Sequence, residues 1–288
     1  MADFGTQSSL SDDVRLFAVI GAQRTGTNIL REILNTNDQI AMLGEVLSPS
    51  PAPAHWDNFC RGMPARSTHP ENVEEAKELL DRYFDFVRYR IRNHWKGNRK
   101  SRSHAIGVDI KYNQLRLIAP TGWDSKLPFM LSYLRSRGAI FIHTTRNVIH
   151  CAISTMIASQ RNLWHNYDGT VIEAGYQIDV EECVAQARTI KHERESFLNF
   201  AQGSELVGCR YERLMDDLNR AGSGESIPLG PGPLRNIAEA LGSLYDFRYD
   251  RRLQKAINIP YSRLLSNYDA LLRRLEVSEF ATLVSTLD

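Results

Sequence analysis

The sequence contains no long apolar run. No stretch approaches the ~18 consecutive apolar residues of a membrane-spanning helix. Residues 1–20 contain neither the basic segment nor the apolar segment of a secretory signal peptide. These two absences argue against an integral membrane protein and a secreted protein, and they predict a cytoplasmic one.

Cysteines and net charge are also scarce. The four cysteines are scattered, without a C-x-x-C pair or a histidine at metal-ligand spacing. We therefore expect reduced structural thiols and no metal site. The formal net charge is +1 at pH 7, which creates no overall field to attract nucleic acid or an anionic membrane surface. Any anion-binding site in this chain must be local.

The composition is that of a globular protein with a sizeable core, since 42% of the residues are hydrophobic and 24% are charged. Apolar strand-like runs alternate with segments of helical periodicity. This alternation predicts an α/β fold: a P-loop-like, mainly parallel β-sheet flanked by helices on both faces. We expect one domain over residues 1–288, with a flexible segment at 1–13 and long loops at 48–70 and 219–233.

The expected strands are RLFAVI, QIAML, HAIGVDIKY, AIFIHTT and ELVGCRY. The expected helices cover residues 27–36, 72–95, 126–138, 146–165 and 180–200. Ligands of parallel α/β sheets bind beyond the carboxyl ends of the strands. The residues that directly follow each strand are therefore the first candidates for a functional site.

The first strand continues into GAQRTGTN, residues 21–28, and then into a helix. Gly21 and Gly26 have the spacing of the triphosphate-binding loop G-x-x-x-x-G-K-[ST], but Thr27 stands where that loop has lysine. Backbone N–H groups at a helix start, together with the helix dipole, form an anion site that Gly26 leaves open to a phosphate. The side chains that would add donors are Arg24, Thr25, Thr27 and Asn28.

A second pair of anion-binding residues follows the strand AIFIHTT. Arg146 stands at the carboxyl end of this strand, and Ser154 lies eight residues later on the flank of the next helix. A guanidinium can bind a phosphate through two parallel hydrogen bonds, and a hydroxyl can add another. Together with the first loop, this pair indicates a ligand with phosphate groups at two separate places.

These motifs resemble those of the sulfotransferase superfamily. GAQRTGTN resembles that family's site for the 5′-phosphosulfate of 3′-phosphoadenosine 5′-phosphosulfate (PAPS), and RNVIHCAIS resembles its arginine-to-serine motif for the 3′-phosphate. CRYERLMDD is similar to the family's Y-E-x-L segment, and LLSNYDALLRRL is similar to a C-terminal segment of carbohydrate sulfotransferases. RTGTNILREILNTNDQIAMLGEVL looks most like the bacterial carbohydrate branch that includes the Nod-factor sulfotransferases.

The resemblance implies that PAPS is the sulfuryl donor, that PAP is the product and that no metal is needed. It implies cofactor-binding roles for Arg24, Thr25, Gly26, Thr27, Asn28, Arg146, Ser154 and, against the adenine, Tyr211. The implied catalytic residues are Glu45 as general base, Lys111 beside the sulfuryl group or the bridging oxygen, and Arg24 as a further positive charge. Other candidates for the base are His55, His143, His150 and His165.

The implied acceptor is a hydroxyl of a carbohydrate or a carbohydrate-containing natural product, either a small molecule or an oligosaccharide. Loops 48–70 and 166–178 are expected to shape its site through the aromatic residues Trp56, Phe59, Tyr167 and Tyr176. No nucleic-acid partner is expected, and the oligomeric state stays open. Two other functions are considered, a P-loop nucleotide kinase and a non-catalytic module that binds a nucleotide or a glycan. A P-loop kinase would require Lys followed by Ser or Thr after Gly26.

Overall fold

The computed structural model of the chain describes residues 14–49, 52, 54–62, 70–94, 104–123, 126–162, 164, 173–220, 226–249 and 259–287. Segment 1–13, which is predicted to be flexible, lies outside these ranges, as do His165 and Tyr167.

The strands of the described chain form one sheet in which all neighbours are parallel, in the order β2-β3-β1-β4-β5. Their bounds are β1 Arg15–Gly21, β2 Ile40–Glu45, β3 Ala105–Lys111, β4 Ile140–Thr145 and β5 Leu206–Arg210. All five apolar runs predicted to be strands are strands. The alternation of strands and helices is confirmed as an α/β fold.

The helices that connect and cover these strands are α1 Thr27–Leu34, α2 Trp56–Arg61, α3 Val73–His94, α4 Phe129–Ser136, α5 Val148–Arg161, α6 Val180–Phe200, α7 Tyr211–Arg220, α8 Pro233–Leu241, α9 Tyr261–Leu264 and α10 Tyr268–Glu276. Short 3-10 helices cover Tyr112–Gln114 and Ala281–Thr286. Within the ranges given above, no helix combines the length and the apolar composition that crossing a bilayer would require.

Apolar side chains are buried on both faces of the sheet. Ala18 and Ile20 of β1 belong to the cluster that includes α3 and α4, whereas Phe17 and Val19 belong to the cluster that includes α1, α7 and α8. This division follows from the alternation of side chains along a strand. A third apolar cluster joins α5, α6, α9 and α10 beside the sheet.

The predicted long loop at 48–70 contains a helix, and this is a correction. Trp56 stands at the start of α2. The centroid of its ring lies 5.2 Å from that of Tyr83, and the ring centroid of Phe59 also lies 5.2 Å from that of Tyr83. Both aromatic side chains are buried in the core. Packing against α3 is favourable for them because it removes their large apolar surface from water. They are therefore not available to stack on a sugar.

The second predicted loop, at 219–233, is described only in part. Helix α7 extends to Arg220, residues 221–225 lie outside the described chain, and α8 begins at Pro233. Between them, Ser226 forms an antiparallel bridge with Arg248. The segment with linker composition therefore separates two helices, as the sequence indicates.

Candidate active site

The carboxyl ends of all five strands lie along one edge of the sheet, because the strands are parallel. Glu45 is the last residue of β2 and Lys111 the last of β3, while Arg146 directly follows β4 and Tyr211 directly follows β5. The segment with Arg24 follows β1. These predicted site residues therefore lie at this edge, where parallel α/β sheets bind their ligands.

Strands β1 and β4 are neighbours, but the chain leaves them in opposite directions. After β1 it continues to β2 at one end of the sheet, and after β4 it continues to β5 at the other. Such a reversal opens a crevice between the two connecting loops, called a topological switch point. The loops at this crevice are those that contain Arg24 and Arg146.

Arg24, Arg146 and Ser154 are in direct contact. The Arg146 guanidinium donates from Nη1 to the Arg24 carbonyl oxygen at 3.0 Å, and the Arg24 Nε donates to the Ser154 Oγ at 3.0 Å. Arg24 also donates to the carbonyl oxygen of Trp164. The residues that the sequence assigned to two separate phosphate motifs thus form one group, which we call the two-arginine cluster.

Arg24 has an unfavourable backbone conformation. Its φ is +67°, a left-handed value that costs a non-glycine residue roughly 1–2 kcal/mol. The hydrogen bond from Arg146 to its carbonyl holds the backbone in this state. Strain that the surroundings maintain in this way is typical of functional loops.

The two-arginine cluster has the electrostatics of an anion site. Burial lowers the pKa of Arg24, and the positive charge of Arg146 lowers it further. In the part of the chain that the structure describes, neither guanidinium has a carboxylate within 4.0 Å, and the buried Nε of Arg146 has no hydrogen-bond partner. A bound phosphate would compensate the repulsion between the charges and use the open donor.

The ring of Tyr211 packs against this cluster. The Arg146 guanidinium lies 4.5 Å from the centroid of its ring, within the range of a cation–π contact. Gly26 packs against the same ring: a Cβ at position 26 would lie 2.4 Å from it, and the residue has a φ of +85°. Glycine is thus needed at 26 for the ring and the backbone conformation. The contact of Tyr211 with an adenine stays a prediction.

The hydroxyl groups of the first loop are engaged within the protein. The Thr25 hydroxyl donates to the Ala22 carbonyl at 2.8 Å and lies 3.1 Å from the Thr144 hydroxyl. Thr27, at the start of α1, accepts a hydrogen bond from Lys111 at 2.6 Å. Both threonines are buried. Their hydrogen bonds within the protein hold the loop in its conformation. Asn28 lies half-buried in the first turn of α1.

Lys111 is the centre of a second group, the lysine network. Its Nζ lies 2.8 and 2.9 Å from the carboxylate oxygens of Asp109, in addition to the contact with Thr27. It also lies 3.6 Å from Oε1 of Glu45. The Lys111 side chain is only 2% exposed, so these partners are what compensates the removal of its charge from water.

Asp109 was not among the predicted site residues, although the sequence contains a signal for it. It stands between Val108 and Ile110 in an apolar strand, and a carboxylate buried there needs a partner. Side chains two positions apart lie on the same face of a strand, so Asp109 and Lys111 meet. This i, i+2 pair at the end of a buried strand could have identified the ion pair.

Helix α5 begins directly behind the two-arginine cluster. The Asn147 side chain accepts hydrogen bonds from the N–H groups of Ile149 and His150, which makes it the N-cap. The N–H of Asn147 donates to the Glu212 carboxylate at 3.0 Å. Burial acts to raise the pKa of Glu212, but this hydrogen bond and those from its own backbone and Arg210 lower it. Glu212 thus joins the end of β5 to the start of α5.

The histidines that were candidates for the base have other contacts. His143 is buried, bonds to the Tyr112 hydroxyl and packs on Phe197. Burial, assisted by the charge of Arg194, lowers its pKa to about 4. The His150 ring packs at a tilt against that of Tyr261, with 5.2 Å between the ring centroids.

His55 bonds through Nδ1 to the Ser48 carbonyl at 2.7 Å. Among the candidate bases whose positions the structure describes, only Glu45 forms an ion pair with Lys111.

A cavity of about 460 Å³ lies next to the lysine network. Its walls come from the first loop at Gln23, from Lys111 at the end of β3 and Asn113 in the following 3-10 helix, and from Thr155 of α5. One side of α6 forms the remaining wall. Over the described ranges, no group of three or more His, Cys, Asp or Glu residues has a geometry that could hold a metal ion.

Known proteins place the chain in a family. A family model described as the sulfotransferase family matches residues 17–221, from the third residue of β1 to just beyond α7. The chain belongs to the sulfotransferase family. The match spans both motifs of the two-arginine cluster and the lysine network. A comparison with curated proteins finds no significant match.

Two solved structures illustrate the similarity. A sulfotransferase from Alicyclobacillus acidocaldarius is 16% identical, with a TM-score of 0.45, and the alignment covers 94% of this chain and 93% of that one. The sulfotransferase domain of an olefin synthase from Synechococcus is 14% identical, with a TM-score of 0.39 and 97% of each chain covered.

Proposed function

We propose that the enzyme transfers the sulfuryl group of PAPS to a hydroxyl of a carbohydrate or a carbohydrate-containing natural product. Family membership establishes sulfotransfer. The observation that supports this donor is the two-arginine cluster, in which Arg24 and Arg146 share one crevice and neither guanidinium forms an ion pair with a carboxylate of the described chain. The carbohydrate acceptor rests on the motifs similar to carbohydrate sulfotransferases and on polar side chains in the cavity walls, such as Gln23, Asn113 and Thr155.

In this proposal each group of residues has one task. Arg146, Ser154 and the first loop bind the phosphates and fix their orientation, which lowers the entropic part of the barrier. The donor supplies an activated sulfuryl group. Glu45 accepts the proton of the acceptor hydroxyl as the new O–S bond forms. Lys111 stabilises the negative charge on the oxygen that departs with PAP.

The lysine network fixes the position of the Lys111 ammonium, which in this proposal lies beside the departing oxygen. Asp109 binds the Lys111 ammonium through two oxygens and Thr27 holds it from the side of α1. The 3.6 Å contact with Glu45 is the longest of the set. We propose that this contact gives way when the acceptor enters. The ammonium and the carboxylate then face the two ends of the reacting group.

Calorimetric titration of PAP and 5′-AMP tests the nucleotide assignment. The wild type should bind PAP more tightly than 5′-AMP, and Arg146→Ala should weaken PAP binding by roughly 1.5–3 kcal/mol because a charge-assisted contact is lost. Ser154→Ala should cost about 0.5–1.5 kcal/mol. Arg188→Ala, a change at an exposed position on α6, is the control. Equal affinity of the wild type for PAP and 5′-AMP would contradict the assignment.

The reaction should proceed in excess EDTA, because Thr27 replaces the lysine of triphosphate loops and no step of the proposal uses a metal. The assay is transfer of label from PAPS to a panel of acceptors, with the modified position located by mass spectrometry. Activity that disappears with chelation and returns with magnesium would favour a kinase-like use of the loop instead.

A further inference from the structure

Helix α6 presents a polar stripe to the cavity beside the lysine network. The α6 residues that line the cavity are Glu182, Ala185, Gln186, Thr189, Ile190 and Glu193, and the stripe consists of the four polar ones. Their spacing of four, three and four residues places them on one side of a helix. A helix packed against a protein core normally turns apolar residues inward, and α6 does so on its other side, at Cys183, Val184 and Ala187. The stripe therefore faces a space suited to a polar ligand.

Glu193 has an open carboxylate in this cavity. It is half-buried, and no residue in the described ranges forms a hydrogen bond or an ion pair with it. Burial raises its pKa, against the smaller opposing effect of His192. Glu182, at the other end of the stripe, accepts a hydrogen bond from Gln186 at 3.0 Å. A half-buried carboxylate without a partner costs free energy that a cationic ligand would offset.

The cavity walls do not supply that cation. Lys111 is the one basic residue among the described wall residues, and its ammonium is shared between Asp109 and Glu45. Among the described wall residues, the two carboxylates of Glu182 and Glu193 outnumber the single ammonium of Lys111, so the formal charge of the walls is negative. An anionic acceptor is disfavoured in such a cavity, whereas a protonated amine is attracted to it.

We propose that this cavity is the acceptor site and that it selects an acceptor carrying a protonated amine as well as the reacting hydroxyl, as in an amino sugar. The amine pairs with Glu193. The acceptor lies along the stripe, whose ends are about 16 Å apart at the rise of an α-helix, and Lys111 and Asn113 also line the cavity. This inference rests on the proposed function for the identity of the acceptor, but the binding that it predicts can be measured alone.

Calorimetry on the PAP-loaded enzyme tests it with two probes that differ in charge. The probes are the disaccharide of two glucosamine units and its N,N′-diacetylated form, both at neutral pH. The wild type should bind the amine form at least tenfold more tightly. Glu193→Gln preserves the shape of the side chain and should remove most of that preference. Glu195→Gln, on the same helix but exposed and outside the cavity, should behave like the wild type.

Three results would overturn the inference: equal affinity for the two probes, a preference for the amine that survives in Glu193→Gln, or no binding of either probe. Each variant must first show the thermal unfolding of the wild type. The PAP titrations above separate the two proposals. If PAP binds through Arg146 and the amine preference is absent, only the acceptor inference fails. If PAP does not bind but the amine binds through Glu193 in the unloaded enzyme, only the donor assignment fails.

Discussion

At the scale of single residues, the chemistry depends on how Lys111 is held. The Lys111 ammonium donates hydrogen bonds to Asp109 and Thr27 and lies 3.6 Å from the Glu45 carboxylate, and the side chain is almost fully buried. A lysine on a flexible stem has many rotamers in solution, but these contacts select one. Asp109 is therefore a positioning residue in our proposal: it acts on the reaction through Lys111.

Glu45→Gln should abolish most of the turnover while PAP binding persists. The amide retains the shape of the carboxylate but cannot accept a proton, and removal of a general base typically costs about 10²–10⁴ in rate. Lys111→Ala should also lower kcat and can weaken PAPS binding. Steady-state kinetics and PAP calorimetry check both, once the melting curves match the wild type. A folded Glu45→Gln enzyme with near-normal kcat would refute the assignment of the base.

At the scale of elements, the loop between β1 and α1 is built around a ring. Gly26 ends this loop in the left-handed conformation and packs on Tyr211, which in turn lies under Arg146. The elements after β1, β4 and β5 are thus stacked on one another at the switch point. A change in any of them should disturb the phosphate site.

Gly26→Ala should destabilise the enzyme and weaken PAP binding. The left-handed backbone costs roughly 1–2 kcal/mol for alanine, and the overlap of its Cβ with Tyr211 adds about 1–3 kcal/mol. Gly138→Ala is a matched control, because Gly138 has a φ of +65° but open space around its Cβ position. It should show only the backbone cost and normal PAP binding. Urea unfolding measures both; equal losses would show that the ring contact is unimportant.

At the scale of the whole molecule, three apolar clusters pack on or beside one parallel sheet. We propose that the chain forms one domain on this basis. His143 is buried inside this core and links β4 to the 3-10 helix at Tyr112. Its titration therefore couples the pH to the stability of the fold.

Acid should destabilise the enzyme through His143. Its pKa falls from an ordinary value of 6.5 to about 4 in the folded protein. The unfolded chain takes up a proton between these values while the folded chain does not, so stability is full above 6.5 and is lost as the pH falls toward 4. The loss from this residue is about 2 kcal/mol between pH 7 and pH 5.

Urea unfolding of the wild type, His143→Gln and His192→Gln over this pH range measures the effect. The His143 variant should show a flatter dependence on pH, whereas the variant at exposed His192 should follow the wild type. Parallel pH profiles for all three proteins would show that His143 is not the coupled group.

The sequence by itself determined the elements and the order of the motifs. Period-two and helical patterns are local properties, so β1, β3 and α6 could be identified from their own residues. The same is true of the motif residues Arg24 and Arg146, because a residue that follows a parallel strand must lie at the ligand-binding edge. Family membership follows from these local motifs.

Only the tertiary structure decided which of these residues meet. The contact between Arg24 and Ser154 joins residues 130 positions apart, and no local pattern records a distance of that kind. The burial of Trp56 against α3 also depends on a contact between distant residues. The proline-rich sequence around Trp56 indicates only a loop. The open carboxylate of Glu193 is likewise visible only in three dimensions: a residue's charge is written in the sequence, but the absence of a partner depends on everything that packs around it.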